Sequence, residues 1–226
     1  MPTFETPLPT LSLLDNKVTF VSGGAKLSGI LAEPRDGGRS IVIMCHGSPG
    51  NKDASKYANL AKELRDIGIA SLRFDFAGHG ESNGGAYYFD DKIGRSNLKS
   101  AVDYVSAMGY ALNQIGIVGS SVGARIALKY AAGTPGLGAL VFRAIVTDGR
   151  SWEHAEKIKT PTMFICGSKD GVVSLEEEKQ FFKAFTCQKE LSVIKGGRHR
   201  CSDPKHVAQF VSMSTQWLKQ NLPART

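Results

Sequence analysis

The stretch QIGIVGSSVGARIALKYAA, residues 114–132, carries the strongest information about the fold. It begins with a short apolar run, 114–118, which is typical of a strand buried inside a sheet. It ends with an alanine-rich run, 122–132, which is typical of a helix. Between them lies Gly119-Ser-Ser-Val-Gly123. This segment has the form G-x-S-x-G, which predicts a sharp, strained turn from strand to helix.

The alternation of strand and helix continues in both directions from this turn. Apolar runs predict strands at 40–45, 69–74, 139–146, 162–166 and 190–194, and periodic segments predict helices at 53–65, 92–107, 175–185 and 204–221. Residues 17–31 predict an N-terminal antiparallel hairpin. Such alternation favours a mostly parallel, doubly wound α/β sheet with helices on both faces. We expect one domain over 1–226, with 1–16 as a surface lead-in.

Bulk composition excludes several classes of protein. The chain of 226 residues has 28 basic and 21 acidic side chains, a net charge of +7, but the basic residues are interleaved with acidic ones. This distribution favours a solvated surface over a nucleic-acid site. No apolar run reaches the roughly 18 residues of a membrane helix, and the first residues lack the pattern of a signal peptide. We expect a cytoplasmic protein without nucleic-acid or membrane partners; the sequence makes no prediction of its oligomeric state.

Cysteine and histidine spacing favours neither disulfides nor a metal site. The four cysteines, at 45, 166, 187 and 201, form no C-x-x-C pair, which predicts free thiols. His199, Cys201 and His206 are close in sequence, but their spacing matches no zinc pattern. We therefore expect no metal.

Ser121, at the centre of the G-x-S-x-G segment, is the predicted nucleophile. In open α/β sheets, functional residues lie at the carboxyl ends of strands, which is where Ser121 falls. A second match, 80–84, is centred on Ser82, but no predicted strand enters it and no predicted helix leaves it. We expect Ser82 to be a turn residue. The alternative for Ser121 is an ordinary tight turn without catalytic function.

A nucleophilic serine needs a base, usually histidine, and a carboxylate that orients the base. His199 follows the last predicted strand on a loop, which favours it over His206 near the start of the last helix. The remaining histidines are His46 and His79 in glycine-rich loops and His154 in a polar stretch. Asp148 and Asp170 both follow strands and both fit the order Ser…Asp…His, so the spacing leaves two candidate acids.

The segment His46-Gly-Ser-Pro-Gly50 follows a buried strand and exposes backbone N–H groups. The amides of Ser48 and Val122 could converge on the negative charge that develops on a carbonyl oxygen, forming an oxyanion hole. Pro49 has no N–H and cannot donate. The alternative is a plain connection between strand and helix.

Taken together, these motifs resemble the α/β-hydrolase superfamily from residue 17 to residue 222. The matching segments, in chain order, are 46–50, Asp75-Phe-Ala-Gly-His-Gly-Glu-Ser82, 119–123, Gly167-Ser-Lys-Asp170 and Gly196-Gly-Arg-His199. The resemblance implies that Asp170 is the acid and that the loop around His79 is structural. Within the superfamily the chain looks like small carboxylesterases and acyl-ester hydrolases, such as cinnamoyl esterases. Dienelactone hydrolases carry cysteine where this chain has Ser121.

The resemblance implies a serine hydrolase acting on a small-molecule carboxylic ester. Ser121 would attack the carbonyl, His199 would transfer the proton and Asp170 would orient the imidazole, with no cofactor. The alternatives are an amidase or peptidase with the same residues, or a non-catalytic ligand-binding or receptor protein. Residues 147–160 are too few for the cap domain of many relatives. Trp152, in this segment, is a weak candidate for a substrate-binding wall, and a packing role is equally compatible with its position.

Overall fold

The computed structural model describes residues 15–35, 37–85 and 90–223, and these form an α/β structure around one sheet. The strands are β1 Asn16–Ser22, β2 Ala25–Ala32, β3 Ile41–Cys45, β4 Ala70–Phe74, β5 Ile115–Ser120, β6 Ala139–Arg143, β7 Thr162–Gly167 and β8 Lys189–Ile194. Their order across the sheet is β1-β2-β4-β3-β5-β6-β7-β8. β1 and β2 form the N-terminal antiparallel pair, and β2 joins β4 antiparallel. From β4 to β8 every pairing is parallel. The predicted fold class is confirmed.

Helices cover both faces of this sheet. They are α1 Ser55–Asp66, α2 Asp91–Ala107, α3 Val122–Ala131, α4 Ser151–Ala155, α5 Leu175–Lys183 and α6 Pro204–Asn221, with a 3₁₀ turn at Leu112–Gln114. One core lies under α2, α3 and α5, and the other lies under α1 and α6. In α1 the buried residues are Tyr57, Leu60, Ala61 and Leu64, the spacing that gives a helix one apolar face.

Side-chain caps explain where two helices begin. Asp90 accepts hydrogen bonds from the N–H groups of Lys92 and Ile93 at the start of α2. Asp203 does the same for Lys205 and His206 at the start of α6, where Pro204 is the first helical residue. A capping carboxylate satisfies N–H groups that have no partner inside the helix. These local signals place both helix starts within one residue of the sequence prediction.

The connection between β6 and β7 differs in detail from the prediction. The strand was expected to reach residue 146, but it ends at Arg143 because Ala144 adopts a φ of 48°, which no extended strand tolerates. Five residues of the following segment form α4, which the polar sequence did not indicate. Throughout this fully described connection there is no inserted cap domain.

Three further expectations concern the N-terminal lead-in, the cysteines and membrane-spanning helices. Apart from Asp15 and Asn16, the expected lead-in 1–16 lies outside the described residues. All four cysteines are unpaired thiols. Among residues 15–35, 37–85 and 90–223, no helix has the length and apolar character needed to cross a membrane.

Candidate active site

Ser121 lies at the turn between β5 and α3 with a strained backbone. Its φ is 56° and its ψ is −122°, a conformation that residues with a side chain rarely adopt. Its N–H donates to the Arg143 carbonyl at 2.9 Å, and its own carbonyl accepts from Ala124 at 3.1 Å. A Cβ on Gly123 would overlap the carbonyl oxygen of His46, so only glycine lets α3 approach the loop after β3. The surrounding hydrogen bonds and close packing therefore hold the turn in place.

A continuous row of hydrogen bonds runs from Ser121 through His199 to Asp170. The Ser121 Oγ lies 3.0 Å from the His199 Nε2, and the His199 Nδ1 lies 2.9 Å from the Asp170 Oδ2. A carboxylate facing Nδ1 favours the tautomer with its proton there, which leaves Nε2 free to accept from the serine hydroxyl. This arrangement can activate the hydroxyl as a nucleophile.

The Asp170 carboxylate is itself held in place. Its side chain is 0% exposed, whereas that of His199 is 18% exposed. The Asp170 Oδ1 also accepts from the N–H groups of Val172 at 2.9 Å and Val173 at 3.0 Å. These bonds orient the carboxylate toward the histidine and satisfy its buried charge.

The parallel sheet brings these three residues together from distant parts of the sequence. Ser121 follows β5, Asp170 follows β7 and His199 follows β8. The pairings β5–β6, β6–β7 and β7–β8 are all parallel, so the strands end at the same edge. Ser121 and His199 meet although they are 78 residues apart in the chain.

The second G-x-S-x-G serine has a different environment. The Ser82 Oγ donates to the Asp75 carbonyl at 2.7 Å and accepts from the Ser28 N–H at 2.8 Å. Its hydroxyl is therefore engaged by the backbone of Ser28 within β2 and of Asp75 directly after β4, which fits the predicted turn role.

The alternative acid, Asp148, is engaged elsewhere. Its Oδ2 accepts from the Lys129 ammonium, and its Oδ1 accepts from the Ser151 hydroxyl at 2.9 Å. Burial alone would raise the pKa of this carboxyl, but the hydrogen bonds from Lys129 and Ser151 outweigh it and lower the pKa to about 2. Asp148 thus fastens α3 to the start of α4, away from His199.

The other histidines also have local partners. The buried His46 accepts from the Phe76 N–H through Nε2 at 3.1 Å and donates to the Gly47 carbonyl through Nδ1 at 2.9 Å. Burial lowers its pKa to about 4, so it is a neutral structural group at pH 7. His206 lies in the first turn of α6. The Nδ1 of His79 lies 3.1 Å from the Ala77 carbonyl, and that of His154 lies 2.6 Å from the Arg150 carbonyl.

The two predicted oxyanion-hole residues lie on adjacent segments. Ser48 and Val122 both line a small cavity of about 20 Å³. Val122 is the first residue of α3, so its N–H has no acceptor within the helix. A Cβ on Gly47 would lie 3.0 Å from the Ser121 Cβ, which shows how closely the loop after β3 approaches the turn. The oxyanion-hole role remains a prediction.

Two buried charged residues near the site were not identified from the sequence. Arg143, 1% exposed at the end of β6, donates through its guanidinium to the carbonyls of Arg198 and His199. Glu178 on α5 is also 1% exposed, and its Oε1 accepts from the Ile145 N–H at 3.2 Å. A signal was present for Arg143, because a charged residue interrupts the apolar run ALVFRAIV at 139–146.

A pocket of about 200 Å³ opens beside Ser121. It is lined by residues 46–51, Ala54, Lys56, Tyr57, Ser120, Ser121, His199 and Arg200. Trp152 is not in this lining; its ring packs edge-on against Phe181, with the ring centroids 5.2 Å apart. Its suggested contact with substrate remains a prediction.

The sheet order and the turn at Ser121 define the protein as an α/β hydrolase, and the part of the chain that the structure describes contains no cap. The family model described as "Serine aminopeptidase, S33" matches residues 37–148 and 145–202. The chain therefore belongs to the S33 serine aminopeptidase family of α/β hydrolases.

Solved structures of other proteins share this fold. Est1E from Butyrivibrio proteoclasticus, solved with ferulic acid, has a TM-score of 0.80 at 20% identity over 90% of this chain and 98% of its own. A dienelactone hydrolase from Anabaena variabilis has a TM-score of 0.80 at 23% identity over 93% and 99%. An esterase from Pyrococcus furiosus has a TM-score of 0.80 at 21% identity over 99% and 98%. At these identities the likeness establishes the fold alone.

Curated relatives are similar over shorter segments. An acyl transferase from Photobacterium leiognathi is 34% identical over 94 residues, which is 41% of this chain and 29% of that protein. A second acyl transferase from the same organism is 34% identical over 77 residues, 34% of this chain and 25% of that protein. This chain thus matches less than a third of the length of these relatives.

Proposed function

We propose that this hydrolase is a serine carboxylic-ester hydrolase that works through an acyl-enzyme on Ser121. The observation that carries the proposal is the row of hydrogen bonds Ser121–His199–Asp170 at a strained strand-to-helix turn, with distances of 3.0 and 2.9 Å. Nucleophile, base and orienting group in this order are the arrangement that acyl transfer to serine requires.

The proposed reaction has two halves. The Ser121 Oγ forms a bond to the ester carbonyl carbon while its proton passes to the His199 Nε2. The carbon–oxygen bond to the alcohol then breaks, and His199 returns the proton to the departing oxygen. In the second half, water gives its proton to His199 and attacks the acyl carbon, and Ser121 recovers its proton as the acid leaves.

Three other groups have supporting roles in this scheme. The Asp170 carboxylate stabilises the imidazolium that forms in each half-reaction. The N–H groups of Ser48 and Val122 would donate to the negatively charged carbonyl oxygen of the tetrahedral intermediate. The scheme uses a small-molecule ester as its partner and requires no cofactor.

Two rival functions use the same residues. The family description favours an amidase or peptidase, and the partial likeness to acyl transferases favours transfer of the acyl group to an alcohol instead of water. Both share the acyl-enzyme and differ in leaving group or acceptor. Matched p-nitrophenyl acetate and p-nitroacetanilide, each with and without added alcohol acceptors, separate the three activities.

The decisive experiment combines covalent labelling with turnover. We expect a fluorophosphonate probe to label Ser121 and the protein to hydrolyse p-nitrophenyl acetate repeatedly. Labelling without turnover would favour a non-catalytic ligand receptor on this fold. A folded protein that is not labelled by the probe and does not hydrolyse the ester would contradict the proposal.

A further inference from the structure

The pocket beside Ser121 has an unbalanced positive charge. Among the described residues that line it, Lys56 and Arg200 are cationic and none is aspartate or glutamate. The carboxylate closest to the chemistry, Asp170, is 0% exposed and faces His199. A ligand in this pocket therefore meets two cations and no exposed carboxylate of the lining.

Lys56 differs from the neighbouring buried lysine. The ammonium of Lys52 lies 2.8 Å from the Asp75 carboxylate and 2.9 Å from that of Glu81. Lys56 is partly buried, and its ammonium lies 5.1 Å from the Tyr57 ring centroid. Within the described part of the chain, Lys56 forms no ion pair with a carboxylate. A cation withdrawn from water is normally paired with an anion. The anionic partner of Lys56 is therefore left for a ligand to supply.

The groups around Lys56 do not supply that partner. The titratable or charged groups that face it are His46 after β3, Arg143 from β6, and His199, Arg200 and Cys201 on the loop before α6. Burial, reinforced by the Arg143 guanidinium, lowers the pKa of Lys56 to about 8. Lys56 is thus charged at neutral pH and loses its charge at moderately alkaline pH.

The helix that carries Lys56 adds to the positive potential. Ala54, immediately before α1, and Lys56, in its first turn, both line the pocket. The first turn of α1 contains no acidic residue. Helix N-termini attract anions because their unpaired N–H groups carry partial positive charge. The N-terminus of α1 and the Lys56 ammonium therefore both favour an anionic group in the pocket.

The position of His199 indicates which part of an ester occupies this pocket. The alcohol oxygen must receive its proton from the His199 Nε2, so the alcohol part has to lie on the side of the site that His199 lines. His199 and Arg200 line the pocket of about 200 Å³, whereas the cavity of about 20 Å³ by Ser48 and Val122 includes neither. The larger pocket is below the roughly 300–1,000 Å³ of sites for drug-sized ligands, so its occupant is small.

We propose that Lys56 and Arg200 bind a carboxylate on the alcohol part of the ester, so that the preferred substrates are small esters of anionic alcohols or phenols. This inference rests on the proposed ester hydrolysis and adds its substrate class. Charge-assisted hydrogen bonds to a carboxylate are among the strongest that a partly buried site can form.

The test compares two esters of almost identical shape. 4-Acetoxybenzoate carries a carboxylate on its leaving group, and 4-acetoxybenzamide carries a neutral amide in the same place. We expect kcat/KM to be about 10–100-fold higher for the anionic ester, with most of the difference in KM, as removal of one charge-assisted contact predicts. The release of the phenol is followed by chromatography.

Variants assign the preference to the two cations. Lys56→Met keeps the aliphatic stem and should abolish most of the preference for the anionic ester. Continued hydrolysis of the ester bond of neutral 4-acetoxybenzamide shows that this variant folds. Arg200→Gln should reduce the preference for the anionic ester by only about threefold, because Arg200 is exposed and solvent screens its charge. Lys62→Met, an exposed position on α1, makes the same charge change outside the pocket and should leave the ratio unchanged.

The dependence on pH provides a second readout. Because the Lys56 pKa is about 8, the advantage of the anionic ester should shrink between about pH 7 and about pH 9.5 in the wild type. Arginine stays charged throughout this range, so Lys56→Arg should retain its preference at the higher pH. A wild-type ratio that is constant over this range would contradict the role of Lys56.

The outcomes separate this inference from the proposed function. Failure to hydrolyse either ester would overturn the proposed ester hydrolysis itself. Hydrolysis of both esters with the same ratio in wild type and Lys56→Met would overturn only the anion-binding inference. A preference for mono-p-nitrophenyl succinate over p-nitrophenyl butyrate, without one for 4-acetoxybenzoate, would overturn it too, since the cations would then serve the acyl side.

Discussion

At the scale of single residues, the same five-residue pattern has two different outcomes in this protein. Ser121 has a backbone φ of 56° and a hydroxyl within 3.0 Å of the His199 Nε2. Ser82 sits in the same pattern, but its hydroxyl is engaged by the backbone at Ser28 and Asp75. The reactivity expected of a serine therefore depends on what its hydroxyl contacts.

Replacing each serine should separate catalysis from stability. We expect Ser121→Ala to lower turnover of p-nitrophenyl acetate by about 10⁶-fold with little loss of stability. Ser82→Ala should retain turnover but lower the free energy of unfolding by about 1–2 kcal/mol, because two backbone groups lose their partner. Steady-state kinetics and urea unfolding measure the two effects; equal loss of turnover in two folded variants would show that the nucleophile is misassigned.

The two candidate acids can be distinguished in the same way. Asp170→Asn should lower kcat by about 10⁴-fold, because asparagine can present an N–H to Nδ1 and favour the wrong histidine tautomer. Asp148→Asn should cost stability through its contact with Lys129 and leave kcat within a few-fold of wild type. The reverse ranking of kcat would assign the acid to the loop after β6.

Glu178 should make stability depend on pH. Burial, reinforced by the Asp170 carboxylate, raises its pKa from 4.5 to about 7, which corresponds to roughly 3 kcal/mol. The folded state holds this proton more tightly than the unfolded state, so the contribution is fully present below pH 4.5 and is lost as pH rises through 7.

Glu178→Gln mimics the protonated form and tests this sign. The variant should be more stable than wild type by about 3 kcal/mol at about pH 8 and should have no advantage at about pH 4.5. Urea unfolding at the two pH values measures the difference, and other titrating groups cancel in the comparison. An advantage for the variant that is the same at both pH values would contradict the raised pKa.

At the scale of elements, the end of β6 positions the loop after β8, which carries His199. The Arg143 guanidinium donates to the backbone carbonyls of Arg198 and His199, so the end of β6 supports the loop after β8. The Arg143 carbonyl also accepts the Ser121 N–H at 2.9 Å. One strand end therefore holds the serine turn with its backbone and the histidine loop with its side chain.

Loss of this support should lower kcat without affecting binding of a neutral ester. We expect Arg143→Met to lower kcat for p-nitrophenyl acetate by about 10–100-fold with KM within about twofold, because small displacements of a base cost this much. Arg125→Met on α3, which removes an ion pair to Asp91 on α2, should cost stability but retain kcat. A kcat for folded Arg143→Met equal to that of wild type would mean that the histidine loop keeps its position unaided.

At the scale of the whole molecule, the lack of a cap among the described residues determines what surrounds the site. The connection between β6 and β7 contributes only the five-residue α4. Trp152 on this helix is 44% exposed. Such a connection cannot cover a long apolar tunnel, so the described part of the chain leaves the site open on this side.

An open site should favour short acyl groups. Each methylene adds about 0.8 kcal/mol of binding only where a pocket encloses it, so kcat/KM should peak at short chains in a p-nitrophenyl ester series from acetate to laurate. We also expect no jump in rate when the substrate forms micelles, since residues 15–35, 37–85 and 90–223 include no lid that could open. A rate that climbs steadily to long chains, or rises abruptly at micelle formation, would indicate an enclosing element.

The sequence by itself determined the succession of elements and the position of the candidate nucleophile in the turn after β5. Buried parallel strands are continuous apolar runs, and amphipathic helices repeat with the helical period, so both are visible in a linear pattern. The turn between β5 and α3 was predictable because its glycines and serine are neighbours in the chain. The end of β6 and the short α4 were not, because a single backbone angle at Ala144 and local packing decided them.

Only the tertiary structure brought Asp170 rather than Asp148 to His199. It also placed the Arg143 guanidinium against the histidine loop. Finally, it brought Lys56 and Arg200 to one pocket. Spacing alone left both aspartates open, and the resemblance to relatives chose between them. The physical reason is that these contacts join residues far apart in the chain, such as Arg143 and His199, 56 residues apart. The order and register of the sheet decide which strand ends meet, and that order depends on the packing of the whole chain.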